Sequence, residues 1–446
     1  MEGRSFYLDS EYGNDACSGL SPKEAWRTLA PANATRFYPG DRICFRAGGV
    51  WKGCFAPKGS GSRFAPVKAE PYGEGAAPRI DGEGGYAAVL LDGVSFWSVE
   101  GLEITNRSSV RAVRQGICIC GKPEGITEGI TVRNCRIHDV TGENRRAREV
   151  YQSMYWNGAI YVTMPGRSSK QSHLQDILIE KNQIYDVTTS GIRVNQQEDF
   201  INDIHHTHVV VRGNQISRTG SDGIIVANCI SPLIDANVCL DAGANGTLED
   251  TQLIAGIWVC ATRDALIQYN EVAGTRLFEN DGTAFDTDWG TAGTTIFQYN
   301  YTHDNEGGFW LDCMGLNYNR ECEGTILRYN VSVNDGRGIG IYDQGLPADF
   351  YGNVFCYEKD PPQICVYGEA KHYCFENNQF LFDEPQGGWK SAFYAGNRWS
   401  GGAKEPRNPG KEDGIPEEIW KFYKKHLTVK QRERLEECCK KNEEVG

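Results

Sequence analysis

The hydrophobic positions of this chain recur in short runs, and the runs recur in a fixed frame. Ile177-Leu178-Ile179-Glu180-Lys181-Asn182, Val209-Val210-Val211-Arg212-Gly213-Asn214 and Ala265-Leu266-Ile267-Gln268-Tyr269-Asn270 share one plan. Thr295-Ile296-Phe297-Gln298-Tyr299-Asn300 and Thr325-Ile326-Leu327-Arg328-Tyr329-Asn330 repeat it. Each is a β-branched run, two variable residues and an Asn. The Asn returns at 182, 214, 237, 270, 300, 330, 353 and 378, with Cys135 in the same place of an earlier copy. The shortest spacing is 23 residues, as between Asn214 and Asn237. Eight or nine residues after most of these Asn comes a second signal, Gly followed by alternating apolar residues. Examples are Gly191-Ile192-Arg193-Val194, Gly223-Ile224-Ile225-Val226, Gly308-Phe309-Trp310-Leu311 and Gly338-Ile339-Gly340-Ile341. A weaker strand falls between the two.

Three short strands in about 23 residues make one coil of a parallel β-helix. The pattern predicts an all-β chain of three-strand coils with an Asn ladder at one corner. Asn suits that corner because it tolerates the left-handed backbone and can bond its amide to the Asn of the next coil. Longer spacings are read as a coil plus an inserted loop. Residues 1–82 are expected to form an N-terminal cap and the first coils, 83–400 the β-helix, and 401–446 a helical tail. In that tail Thr428-Val429-Lys430-Gln431 has the form of a capping box. Cap and tail would cover the open ends of the solenoid. Asn300-Tyr301-Thr302 and Asn330-Val331-Ser332 are read as corner residues and not as glycan acceptors.

Composition adds limits. The 446 residues carry a net charge of -13, which argues against nucleic acid or an anionic membrane as partner and allows a neutral sugar or a cation. No apolar run is long enough to cross a membrane, and no secretory segment follows Met1. The chain as it stands is therefore expected in the cytoplasm, or outside the cell if a leader has been removed. The 16 Cys lack the spacing of a disulfide scaffold. Those inside strand-like runs (Cys118, Cys120, Cys229, Cys239, Cys260) read as small buried thiols, and the vicinal Cys438-Cys439 as reduced.

Several segments resemble a known group. They are Tyr7-Leu8-Asp9-Ser10-Glu11-Tyr12-Gly13-Asn14-Asp15, Gly19-Leu20-Ser21-Pro22, Ala25-Trp26-Arg27-Thr28-Leu29, Pro39-Gly40-Asp41 and Gly48-Gly49-Val50-Trp51. Asp281-Gly282-Thr283-Ala284-Phe285-Asp286-Thr287-Asp288 and Gln298-Tyr299-Asn300-Tyr301-Thr302-His303-Asp304-Asn305-Glu306-Gly307 extend the likeness. Together, over about residues 6–385, they resemble the carbohydrate-active, right-handed β-helix proteins of the pectin-lyase-like superfamily. The resemblance implies the fold. It leaves the reaction open, because that group includes glycosidases, polysaccharide lyases and uronan epimerases.

The chemistry is sought by stacking the Gly-led strands, whose side chains alternate in and out. The first outward column then reads Tyr161, Arg193, Ile225, Trp258, Asp286, Trp310, Gly340, and the second Thr163, Asn195, Ala227, Cys260, Asp288, Asp312, Tyr342. Asp286, Asp288 and Asp312 would share one exposed face. Asp288 is expected about 5 Å from Asp312, and Asp286 about 8 Å. Carboxyls so placed suit hydrolysis of a glycosidic bond, one protonated as general acid and another as nucleophile or base. Trp258, Trp310 and Trp289 would stack on a sugar, and Arg193 and Tyr161 would bind its polar groups. Asp281, Glu306 and Asp343 are lesser candidates.

The expected partner is an oligo- or polysaccharide, with no cofactor required. Two alternatives remain. A lyase or epimerase would use the acidic face to hold Ca²⁺, with Arg193 as the neutralising group. A carbohydrate-binding β-helix without catalysis would account for the aromatics alone. His205-His206-Thr207-His208 lacks a standard zinc spacing, and Arg145, Arg146 and Arg148 read as a solvated loop.

Overall fold

The computed structural model describes residues 3–144, 156–165, 172–196, 205–246, 253–314, 321–358, 361–382, 386–399 and 417–443. The chain divides into two compact units, Met1–Pro232 with Gly243–Gln252, and Leu233–Ala242 with Leu253–Gly446. Both are built as a right-handed parallel β-helix of three sheets. Arg145, Arg146 and Arg148 lie outside the described residues, as do the side chains of Cys438 and Cys439.

In the first unit, sheet 1 starts with Ser5–Leu8 beside Arg42–Arg46 and ends on His173–Glu180 beside His206–Arg212. Stacking thus begins at the fifth residue. The helix α1 (Leu29–Ala34) interrupts it, opened by Thr28, whose hydroxyl accepts the Ala30 N–H at 3.2 Å. Sheet 3 of this unit runs from Ala87–Asp92 to Ile224–Ala227.

In the second unit, sheet 1 holds the strands before the Asn corner, from Leu233–Asp235 to Phe393–Ala395. Sheet 2 holds those after it, from Val238–Leu240 to Arg398–Trp399. Sheet 3 holds the Gly-led strands Ala255–Cys260, Thr283–Thr287, Gly308–Asp312, Gly338–Tyr342 and Gln363–Tyr367. Aromatic side chains stack up the interior: Phe350 on Phe375 at 4.4 Å, Phe375 on Tyr394 at 5.3 Å, Phe380 on Trp399 at 4.0 Å.

The Asn ladder forms as the repeat predicts. Asn270 donates its N–H and Nδ2 to Asn300 Oδ1 (2.9 and 3.0 Å), Asn300 likewise to Asn330, and Asn330 to Asn353. Asn378 continues to Asn397. In the first unit the Cys135 N–H donates to Asn182 Oδ1. One detail differs from expectation. The left-handed residue is the one before each Asn, namely Lys181, Ala236, Tyr269, Tyr299 and Tyr329, with φ between 53° and 57°. Asn holds its place for its amide and not for its backbone. A second ladder, which the repeat did not reveal, runs through Thr275, Asn305 and Asp335.

The tail is helical, as α2 (Glu417–His426) and α3 (Val429–Glu443). Its capping box closes in both directions. Gln431 N–H donates to Thr428 Oγ1, and Thr428 N–H to Gln431 Oε1. The helices do not simply stopper an end. Ile419, Tyr423, Leu427 and Leu435 cover the outward side of sheet 2 at Val331, Val333, Val354, Cys356 and Leu381. No described helix is long and apolar enough to cross a membrane. The cysteines from Cys17 to Cys374 are all free thiols.

Candidate active site

Strand register decides which side chains reach the outer face of sheet 3. Trp258 pairs with Asp286 and Val259 with Thr287, as the Gly-led stacking requires. The next strand is shifted by one residue. Phe285 pairs with Trp310, Asp286 with Leu311, and Thr287 with Asp312. A slip of one residue exchanges the faces. The whole strand keeps this register from Thr283 beside Gly308 onward, so that Gly307 and not Gly308 stands level with Gly282.

Trp310 and Asp312 therefore face inward, which corrects their expected outward placement. Trp310 is fully buried, its Nε1 donating to Thr287 Oγ1 at 3.0 Å and its ring 5.9 Å from Phe350. The next inward position in this column is Gly340, where a Cβ would strike the Tyr373 ring. The outer column instead reads Trp258, Asp286, Leu311, and beyond the strand ends Asp288 stands level with Cys313. The Cys313 N–H donates to Thr287 O at 2.9 Å and the Asp288 N–H to Val259 O at 2.9 Å.

Asp312 is nonetheless unusual. Burial pushes its carboxyl up to about 7, against the lowering effect of the Gln344 and Met314 N–H groups that it accepts at 3.1 and 3.0 Å. Nearby Asp343 raises it further. Above it, Cys313 marks where the acids meet. Its thiol is pushed far up by burial, then by Asp286, Asp288, Asp281 and Asp312 in that order. Four carboxyls thus lie within electrostatic reach of one side chain. Asp281 and Asp288 are partly exposed, whereas Asp286 keeps only 7% of its surface open. Asp288 accepts the Trp289 N–H at 2.9 Å, and the Trp289 indole N–H has no hydrogen-bond partner among the described residues.

Asp281 comes from a loop, residues 276–282, and Glu306 belongs to its support. Glu306 Oε1 accepts Arg276 Nη1 at 2.7 Å and Oε2 accepts the Leu277 N–H at 2.8 Å. Burial raises this carboxyl, but those two bonds outweigh it and its pKa falls. Asp343 accepts His372 Nδ1 at 2.7 Å, which with the Gly345 and His372 N–H bonds overcomes burial and lowers its pKa. His372 is exposed. This Asp343–His372 pair was not legible as a unit, since 29 residues separate its members.

Arg193 and Tyr161 are corrected as well. Both belong to the first unit and both are buried. Arg193 donates to Asn157 O and Ser190 Oγ and pairs with Asp222 at 3.4 Å. The Tyr161 hydroxyl donates to Thr163 Oγ1 at 3.2 Å. A guanidinium with its acid inside the protein is a structural pair and offers nothing to a ligand. In the His run, His206 is buried and accepts the Leu174 N–H, while exposed His208 pairs with Asp176. Among the described residues no group of three or more His, Cys, Asp or Glu is placed to hold a metal ion.

No protein-family model matches the chain. It is similar to a lacto-N-biosidase of Bifidobacterium longum subsp. longum, 25% identical over 472 residues that take in 85% of this chain and 29% of the relative. The chain thus spans less than a third of that curated relative's length. Its fold is also similar to the crystal structure of a GH136 lacto-N-biosidase from Eubacterium ramulus, with a TM-score of 0.66 and 23% identity over 84% of this chain and 68% of that one.

Proposed function

We propose that this chain is a glycoside hydrolase acting on an oligosaccharide, and that the sugar it recognises is a lacto-N-bioside, a reading supported by its likeness to two proteins named lacto-N-biosidase. The observation that carries this reading is that Asp286 and Asp288 follow one another on the outer side of sheet 3, Asp288 level with Cys313, with Asp281 and the inward Asp312 also within electrostatic reach of that thiol. Hydrolysis needs two carboxyls at the bond, one giving a proton to the leaving oxygen and one attacking or activating water. Asp281 and Asp288 reach solvent and take these two parts. Asp286 is closed off beside Trp258 and takes no direct part. Trp289, partly exposed, supplies aromatic surface to the sugar, whereas Trp258, expected to do the same, keeps only 7% of its surface open and packs beside Asp286.

The test is turnover of an aryl lacto-N-bioside. Asp288→Asn and Asp281→Asn should each lower kcat by roughly a thousand-fold or more, with the thermal midpoint held within about 2 °C. Retained turnover in either variant removes that residue from the mechanism. A product absorbing as an unsaturated uronate, abolished by a chelator, would replace hydrolysis with elimination.

A further inference from the structure

The loop that carries Asp281 is tied down at its turn as well as at its two ends. Its base is held by backbone, Gly282 N–H to Ile254 O at 2.7 Å and Gly307 N–H to Gly282 O at 2.8 Å. Its start is held by Glu306. The residue just before Asp281 is Asn280, and two side chains from later coils grip it. The Tyr367 hydroxyl donates to Asn280 Oδ1 at 3.0 Å, and Arg337 Nη1 donates to the Asn280 carbonyl at 2.9 Å. The two grips brace each other. The Arg337 guanidinium lies 5.5 Å from the Tyr367 ring centroid, and that ring stacks on Tyr342 at 5.1 Å with 24° between planes. Tyr342 in turn lies within electrostatic reach of Cys313 and Asp281, so the brace abuts the acid cluster.

We infer that Tyr367 and Arg337 are positioning residues: by clamping Asn280 they fix the direction in which the adjacent Asp281 carboxyl enters the cluster. The inference rests on the proposed hydrolase reading for its catalytic consequence. Its physical need is clear. Asp286 and Asp288 are placed by a strand and its end, but Asp281 is placed by a loop, and a displacement of about 1 Å at a reacting group costs on the order of a hundred-fold in rate. Neither Tyr367 nor Arg337 has to touch the substrate.

Tyr367→Phe keeps the ring and its stack and removes only the donor. Asn280→Ala removes the acceptor and keeps the carbonyl that Arg337 holds. Each should lower kcat on the aryl lacto-N-bioside by about ten-fold, with KM within about two-fold. The double variant should be no worse than either single, since both cut one bond. Unchanged kcat in Tyr367→Phe, or a fall that tracks the thermal midpoint, would overturn the inference. A second measurement needs no substrate and so separates this failure from failure of the hydrolase reading. Amide exchange at residues 278–282 should quicken in both variants while that of Leu277, held by Glu306, does not. Exchange that stays at the wild-type rate sinks the clamp even in a fully active enzyme.

Discussion

Asp312 is a carboxyl kept inside the second unit, and its titration has a definite sign. Its ordinary value is 3.8 and its folded value about 7. Between these the folded state keeps a proton that the unfolded chain has released. Stability conferred by that proton is full below about pH 4 and is lost as pH rises towards 7, at a cost of roughly 4 kcal/mol. Asp335, raised to about 6 by burial against three side-chain donors, acts in the same direction. The urea midpoint of this unit should therefore fall from pH 5 to pH 8. Asp312→Asn should flatten the slope while leaving the share that belongs to Asp335. A midpoint that rises across this range would show that neither carboxyl is held protonated. The same residue marks the limit of the sequence reading. The presence of acids around 281–288 and 312 was legible, because Asp is rare in strand interiors. The facing of Asp312 was not. It depends on whether Gly307 or Gly308 stands level with Gly282, and hydrophobic alternation cannot choose between the two when Phe309, Trp310 and Leu311 are all apolar and all buried.

At the scale of elements, the Asn corner was legible because one physical demand recurs in every coil. Asn300 meets it four times over. Its Oδ1 accepts from Asn270 N–H and Nδ2, and its Nδ2 donates to Ile267 O and Asn330 Oδ1. Asn300→Leu would take away the acceptor of the Asn270 N–H and of one Asn270 Nδ2 bond, and the side-chain donor to the Ile267 carbonyl, in a site closed to water. Each orphaned group costs about 1–3 kcal/mol, so the loss should exceed about 3 kcal/mol and appear as a lower urea midpoint with an unchanged slope. A loss below about 1 kcal/mol would mean that neighbouring coils re-pair without it. The second ladder escaped notice because its members differ. The Thr275 N–H donates to the Asn305 side chain and the Asn305 N–H to the Asp335 side chain, so no letter repeats although the hydrogen bonds do. The Asp343–His372 pair and the Tyr367–Asn280 clamp were hidden for a related reason. Each joins residues of different coils, and which residues become neighbours depends on loop lengths that the period does not fix.

At the scale of the whole molecule, a sheet in a solenoid has two faces, and the repeat specifies only the inner one. What covers the outer face must come from elsewhere in the chain. In the second unit the C-terminal helices do this for sheet 2. The amphipathic tail was legible as helix, but its docking place was not, since Val331, Val333 and Val354 read equally well as strand formers with no partner outside. Four anchors, Ile419, Tyr423, Leu427 and Leu435, are each at most 3% exposed against that face, and the Tyr423 hydroxyl donates to the Gly352 carbonyl. Burial of such side chains is worth about 2 kcal/mol each. Removing residues 417–446 should therefore cost more than about 5 kcal/mol of the unit's stability and uncover a contiguous apolar strip. The truncated chain should bind more of a hydrophobic dye than the full chain and associate at lower concentration. Tyr423→Ala with Leu427→Asp should produce the same dye binding with every residue still present, which separates loss of cover from loss of length. A truncated chain that stays dye-free with an unchanged midpoint would show that the outer face of sheet 2 needs no cover, and that the helices are held for some purpose other than stability.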